Sequence, residues 1–332
     1  MPTVPEPLER RTYDAAALIA EHPPIWRHPN KEAVAAISCP PDAIHGGTLG
    51  YSRWPAMPLP GSNDGDRATT LVERPGFYDY APIDDAAVAW HVNFADPHLF
   101  AAYGSPLLAQ DELQVAEHPI LGALREALVA DGAVARTMEG GRPTPVLVTG
   151  VERRCRIATE PDAAAGRPEG LYGNRFADAR ADVVRRATSR LEPPTVSNVI
   201  AMAAPGYGHG VYTAEQIEGI LVTATTAFAA ARTETANIRD PRTRVVVHTG
   251  FWGCGAFGGN RVLMAALQVI AARLVGVDTL AFHVGDPTGA ELLADAIGFV
   301  DGPGGVGASP TTRALVEAVA HYGFRWGVSD GT

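Results

Sequence analysis

The run His248-Thr249-Gly250-Phe251-Trp252-Gly253-Cys254-Gly255-Ala256-Phe257-Gly258-Gly259-Asn260 lies between an apolar stretch, Val245-Val246-Val247, and a helical pattern from Arg261 to Leu274. That order reads as strand, glycine-rich loop and helix N-terminus. Glycine reaches φ > 0 and has no side chain to block a ligand, so five glycines here can turn several backbone N–H groups toward one point. The helix start adds unpaired N–H groups and a positive dipole end, which suits a phosphate or diphosphate. Trp252 and Phe257 offer rings for stacking on a flat ligand group; packing of the loop's own underside is the alternative.

Working outward, strands alternate with helices. Val88 to Phe94, Pro145 to Thr149, Val196 to Ala203, Arg244 to His248 and Thr279 to Val284 read as strands. His118 to Val129, Arg175 to Arg190, Thr213 to Thr233, Glu291 to Ile297 and Thr311 to His321 read as helices, with Thr213 as an N-cap. The alternation predicts a three-layer α/β domain on one sheet, helices on both faces, over residues 86–332. Residues 1–85 are rich in Pro and Gly, with short helices predicted over Thr12 to Glu21 and Lys31 to Ser38. Their aromatic content predicts an ordered accessory extension packed on the core rather than a flexible linker.

The net charge of −10 disfavours a grip on a nucleic-acid backbone, which depends on neutralising phosphates, but is compatible with one nucleotide ligand. Lys31 is the single lysine. Arg153, Arg154 and Arg156, diluted by Glu152, read as solvated surface. Cys39, Cys155 and Cys254 are far apart, so neither a disulfide framework nor a zinc site is predicted, and a reducing cytoplasm fits. No HExxH-type spacing suggests a metal, and no resident cofactor is called for. No apolar stretch approaches the roughly 20 residues that span a bilayer, and Met1-Pro2-Thr3-Val4-Pro5 does not read as a signal peptide.

The glycine run resembles the C-terminal signature of the poly(ADP-ribose) glycohydrolases, close to TGNWGCGAFGGD ahead of a helix. Thr249-Gly250 and Trp252 through Gly259 match without a gap; Phe251 replaces an Asn and Asn260 an Asp. The other family signature, a strand ending near VDFAN, then Gly-Gly-Gly, then Gln-Glu-Glu, is similar to Val92-Asn93-Phe94-Ala95-Asp96 followed by Phe100-Ala101-Ala102 and Gln110-Asp111-Glu112. The resemblance implies a macrodomain-like fold. It implies that the loop with Gly253, Cys254, Gly255, Ala256 and Gly258 wraps the diphosphate of an ADP-ribosyl substrate, with Phe257 packing near the terminal ribose and Asn260 also at the substrate. It also implies Glu112 as the catalytic carboxyl with Asp111 beside it, and Asp96, Phe100 and Gln110 at the substrate.

Chemistry supports that assignment on its own terms. Cleaving a ribosyl glycosidic bond needs an acid for the leaving group and then a base for water. One carboxyl in a partly dry pocket serves both, because desolvation raises its pKa. The plain alternative is that Gln110-Asp111-Glu112 starts an exposed turn. The departures point to an altered substrate. Phe100 fills space that glycine leaves open, Asp96 replaces an Asn, and Ile157 to Glu160 stand where the family carries an adenine-stacking Tyr run. The expected activity is therefore a glycohydrolase on an ADP-ribosyl or related NAD-derived compound. The alternatives are an enzyme trimming an NAD-derived intermediate in specialised biosynthesis and a non-catalytic ADP-ribose binding module. His209, in the glycine-bearing loop from Tyr207 to Gly210, is a candidate for proton transfer or an exposed turn residue. His248 and His283 read as hydrogen-bonded core histidines. Asp286 is expected near the sheet edge, close to the site.

Overall fold

Side-chain alternation along the strand at Ala87–Ala95 sets the layering. Trp90 and Val92 enter one core, while His91, Asn93 and Ala95 point to the opposite face. The computed structural model describes residues 5–63 and 69–331. Met1 to Val4, which open the predicted signal-free N-terminus, lie outside it.

The chain begins β1 (Glu9–Asp14), α1 (Ala15–Glu21), α2 (Pro29–Ser38), β2 (Thr48–Arg53), β3 (Thr70–Arg74) and β4 (Ala87–Ala95). There follow α3 (Gln110–Glu117), α4 (Ile120–Ala130), a small hairpin β5 (Met138–Glu139) with β6 (Arg142–Pro143), β7 (Val146–Ile157), α5 (Arg175–Asp178), α6 (Ala181–Ala187) and β8 (Thr188–Ala203). The last part holds α7 (Ala214–Ile238), β9 (Arg244–Thr249), α8 (Arg261–Val275), β10 (Thr279–His283), α9 (Pro287–Asp301) and α10 (Thr312–Tyr322).

Eight strands form one mixed sheet in the order β1-β2-β7-β8-β4-β9-β10-β3. The first three pairings are antiparallel and the remaining four parallel. Helices α7 to α10 cover one face through the larger core, which includes Trp90, Val247, Phe228 and Leu267. Helices α1, α3 and α4 cover the other through Tyr51, Val148, Val115 and Leu124. This is the three-layer α/β arrangement predicted. A third cluster joins α2, α3, α5 and α6 to the end of β7 through Val34, Ala116, Phe176, Val184 and Ile157.

Thr213 caps α7 as predicted, accepting from the Gln216 amide at 3.2 Å while Gln216 Oε1 accepts from the Thr213 amide at 3.0 Å. The helix predicted over Arg175 to Arg190 is instead two short helices and a strand. Ala179 is extended, and Thr188 pairs with Ile157 across the β7–β8 ladder. Arg153 and Arg154 are not solvated surface: β7 runs on through them and both are buried. Arg153 pairs with Glu117 at 2.8 Å and Arg154 with Glu152 at 2.9 Å, which makes their burial tolerable. Arg156 is exposed.

The first 85 residues supply both edges of the sheet, β1 and β2 on one side and β3 on the other. Arg10 grips the buried Glu234 of α7 with two hydrogen bonds, and Ser52 donates to the same carboxylate at 2.6 Å. Between β3 and β4, Tyr78 and Tyr80 lie over His91; the Tyr78 hydroxyl donates to the Val92 carbonyl at 2.9 Å.

Candidate active site

Neighbouring parallel strands β4 and β9 end on the same edge of the sheet. Their ladder stops at the pair His91 and His248, and the chains then diverge. The carboxyl ends of neighbouring parallel strands are where open α/β sheets take ligands. The segment after β4 leads to the carboxylates at the start of α3. The segment after β9 is the glycine loop that leads into α8.

The loop is held from below. Trp252 is fully buried and donates from Nε1 to the Met202 carbonyl at 2.9 Å. Gly253 and Gly258 have φ of 76° and 68°, and a Cβ on Gly253 would come within 2.4 Å of the Ala204 Cβ. The amides of Trp252, Cys254, Gly258 and Gly259 donate to carbonyls within the loop. Among the described residues, the amides of Gly253, Gly255, Ala256 and Phe257 donate to nothing. Amides left without partners before a helix start are suited to an anion. Asn260 caps α8 by accepting from the Leu263 amide at 3.0 Å, and its own amide donates to the Tyr212 hydroxyl at 3.1 Å. Phe257 meets the exposed Tyr207 edge-on at 5.4 Å. Burial raises the Cys254 thiol well above its usual pKa, so this sulfur packs rather than attacks.

Gln110, Asp111 and Glu112 form the first turn of α3, not an exposed turn. Gln110 clamps that turn to β4: its Oε1 accepts from the Phe94 amide at 2.6 Å and its Nε2 donates to the Val92 carbonyl at 3.1 Å. Asp111 is buried and accepts from Asn93 Nδ2 at 3.0 Å. Glu112 is buried and accepts from the Ala109 amide at 3.1 Å. Both carboxyls are raised from their ordinary values, Asp111 to about 8. For Asp111 the causes are burial and then the charge of Glu112; for Glu112 the cause is burial, opposed chiefly by Lys31.

The other expected site residues divide. Asp96 is half-exposed and accepts from the His98 amide at 2.8 Å. Phe100 has no exposed surface; it sits in the core under α4 with φ 52°. Ile157 is buried in the third cluster. His209 is exposed. His248 and His283 are buried and bonded to each other, Nδ1 to Nε2, at 3.0 Å. Asp286 caps α9, accepting from the Gly289 amide at 2.9 Å, and pairs with Arg261 at 3.2 Å.

A C-terminal strap, residues 325–331, links the two halves of the site. Asn260 Nδ2 donates to the Arg325 carbonyl at 3.0 Å, and Gly327 to Ser329 lie against Gly258. The Asp330 amide donates to the Gly255 carbonyl over a long 3.4 Å, and Asn174 Nδ2 donates to the Gly331 carbonyl at 2.5 Å. Gly173 in turn pairs with Leu108 just before α3. Tyr172 is stacked on Phe77 at 5.4 Å. Asn93 lies in the stretch similar to the second family signature but was given no role there; Tyr172, Asn174 and the strap carry no motif of their own, and only the folded chain brings them here.

Residues 171–290 match the family model described as poly (ADP-ribose) glycohydrolase (PARG), Macro domain fold. Over that segment, about a third of the chain, the protein is similar to the poly(ADP-ribose) glycohydrolases. The matched segment contains the glycine loop; Asp111 and Glu112 lie before it. Among solved structures, the poly(ADP-ribose) glycohydrolase from Thermomonospora curvata is similar at 16% identity, over 86% of this chain and 85% of that one, with a TM-score of 0.45. The same protein bound to the inhibitor ADP-HPD is similar at 17% identity, over 85% and 96%, with a TM-score of 0.45. The glycohydrolase from Deinococcus radiodurans in complex with ADP-ribose is similar at 13% identity, over 87% and 94%, with a TM-score of 0.39. Among the described residues, no group of His, Cys, Asp and Glu could hold a metal ion, and no helix is long and apolar enough to cross a membrane.

Proposed function

We propose that this protein hydrolyses a ribosyl glycosidic bond in an ADP-ribosyl or related NAD-derived compound. The carrying observation is the four free amides of the glycine loop at the same sheet edge as two buried carboxyls of raised pKa. The family match over that loop supports a diphosphate as its ligand. Glu112, protonated through burial, donates its proton to the leaving oxygen or nitrogen as the bond to the anomeric carbon breaks. The resulting carboxylate takes a proton from water as the water adds to the oxocarbenium-like carbon, which restores the acid. Asp111 orients a ribose hydroxyl or the water.

A small substrate is favoured over long polymer. Phe100 closes into the core where the family's glycines leave room, and the buried Ile157 supplies no ring for adenine. Trimming of a free NAD-derived intermediate fits the same two features. Calorimetry with ADP-ribose, together with parallel assays on poly(ADP-ribose), mono-ADP-ribosylated protein and free NAD-derived glycosides, tests the reading. Binding with turnover of the small compounds is expected. Binding without turnover of any of them would indicate a reader module. Efficient release of ADP-ribose from polymer would refute the altered specificity.

A further inference from the structure

Lys31 has no exposed surface, which is rare for this residue type. It also lies in the first turn of α2, where the helix dipole disfavours a cation. Its Nζ donates to the Tyr103 carbonyl at 2.8 Å and lies 5.7 Å from the centre of the Phe176 ring. One carbonyl does not repay the burial of an ammonium group.

The helix geometry locates the compensating charge. Lys31 and Val34 are three residues apart and share a face of α2; Glu112 and Ala116 are four apart and share a face of α3. Val34 belongs to one buried cluster with Ala116 and Leu108, and α2 lies beside α3, so the face carrying Lys31 turns toward the helix that carries Glu112. We propose that Lys31 is a positioning residue of the candidate active site, the buried cation behind α3 that lets Glu112 alternate between its acid and carboxylate forms beside Asp111. The inference rests on the proposed role of Glu112.

Several other groups face the pair. Asn93 comes from β4 and Asp96 from the segment after it. Arg125 comes from α4 and Tyr172 from the segment before α5. The carboxyl and hydroxyl groups of Asp96 and Tyr172 add no positive charge, and Arg125 donates to the Leu99 carbonyl. Burial lowers the Lys31 pKa to about 8, against the pull first of Glu112 and then of Asp111. Lys31 is in turn the largest influence opposing the rise at Glu112. Removing the cation would raise Glu112 further and make its carboxylate, the form that accepts a proton from water, harder to form.

Because the chain has one lysine, a lysine-selective NMR spectrum contains a single side-chain ammonium signal. Two titrations test the coupling from both ends. In Lys31→Met, which nearly preserves side-chain volume, the carboxyl-carbon midpoint of Glu112 is expected to rise by about one pH unit or more, a tenfold gain in proton affinity. In Glu112→Gln, whose side chain can keep the contact to the Ala109 amide, the Lys31 midpoint is expected to fall, because the coupling is reciprocal. The acid limb of the pH–rate profile should move upward in Lys31→Met. Unchanged midpoints would overturn the inference; if Lys31→Met does not fold, the Glu112→Gln titration decides alone. Coupled titration in a protein that turns over no glycoside would refute the proposed function and leave the electrostatic link standing.

Discussion

Gln110, Asp111 and Glu112 are consecutive, yet each meets a different partner: the backbone of β4, the amide of Asn93, and the amide of Ala109. The first turn of a helix permits this, since successive side chains fan out by about 100°. Glu112→Gln keeps shape and the cap but has no proton to give. It is expected to lower turnover by roughly 10²- to 10⁴-fold with ADP-ribose affinity little changed. Equal turnover would move the chemistry elsewhere, to the exposed His209 first. The carboxylate pair stood out through its resemblance to the family's Gln-Glu-Glu run; without that, three adjacent letters read as a turn. Lys31 was legible only as an oddity of composition, and Asn93 only as one letter of a strand-end motif, because their contacts to α3 form only on folding.

At the scale of elements, the loop between β9 and α8 assigns its glycines two different jobs. Gly253 is left-handed and has no room for a Cβ, so Gly253→Ala is expected to lower the melting temperature measurably. Gly255 is not among the left-handed residues, and its amide is one of the free donors. Gly255→Val is expected to abolish ADP-ribose binding by calorimetry while the melt stays within a few degrees of wild type. Loss of binding only alongside loss of stability would contradict this division. The strand–loop–helix order here was readable from glycine spacing and apolar runs, and so was the Thr213 cap. The passage of β7 through Arg153 and Arg154 was not. Charged letters read as surface, and only the partners Glu117 and Glu152 make their burial possible.

The whole molecule keeps several histidines neutral by burial. His118 is lowered to about 3 and His248 to about 4, whereas both would bind protons near 6.5 once unfolded. The stability they contribute is therefore full above 6.5 and is lost as pH falls toward those lower values. His118→Gln is expected to lessen the drop in urea-unfolding free energy between pH 7 and pH 5 by about 2 kcal/mol. The same pH dependence in both proteins would show that His118 does not govern acid sensitivity. The alternating order of strands and helices foretold the layers, but nothing local revealed that the first 85 residues form both borders of the sheet. That arrangement has a consequence for how the protein is made. During synthesis β3 leaves the ribosome early, yet its partner β10 follows some two hundred residues later; β1 and β2 can pair with each other at once but must wait for β7. The nascent chain thus carries open strand edges through most of translation, a state that favours slow, chaperone-assisted completion over folding in small steps.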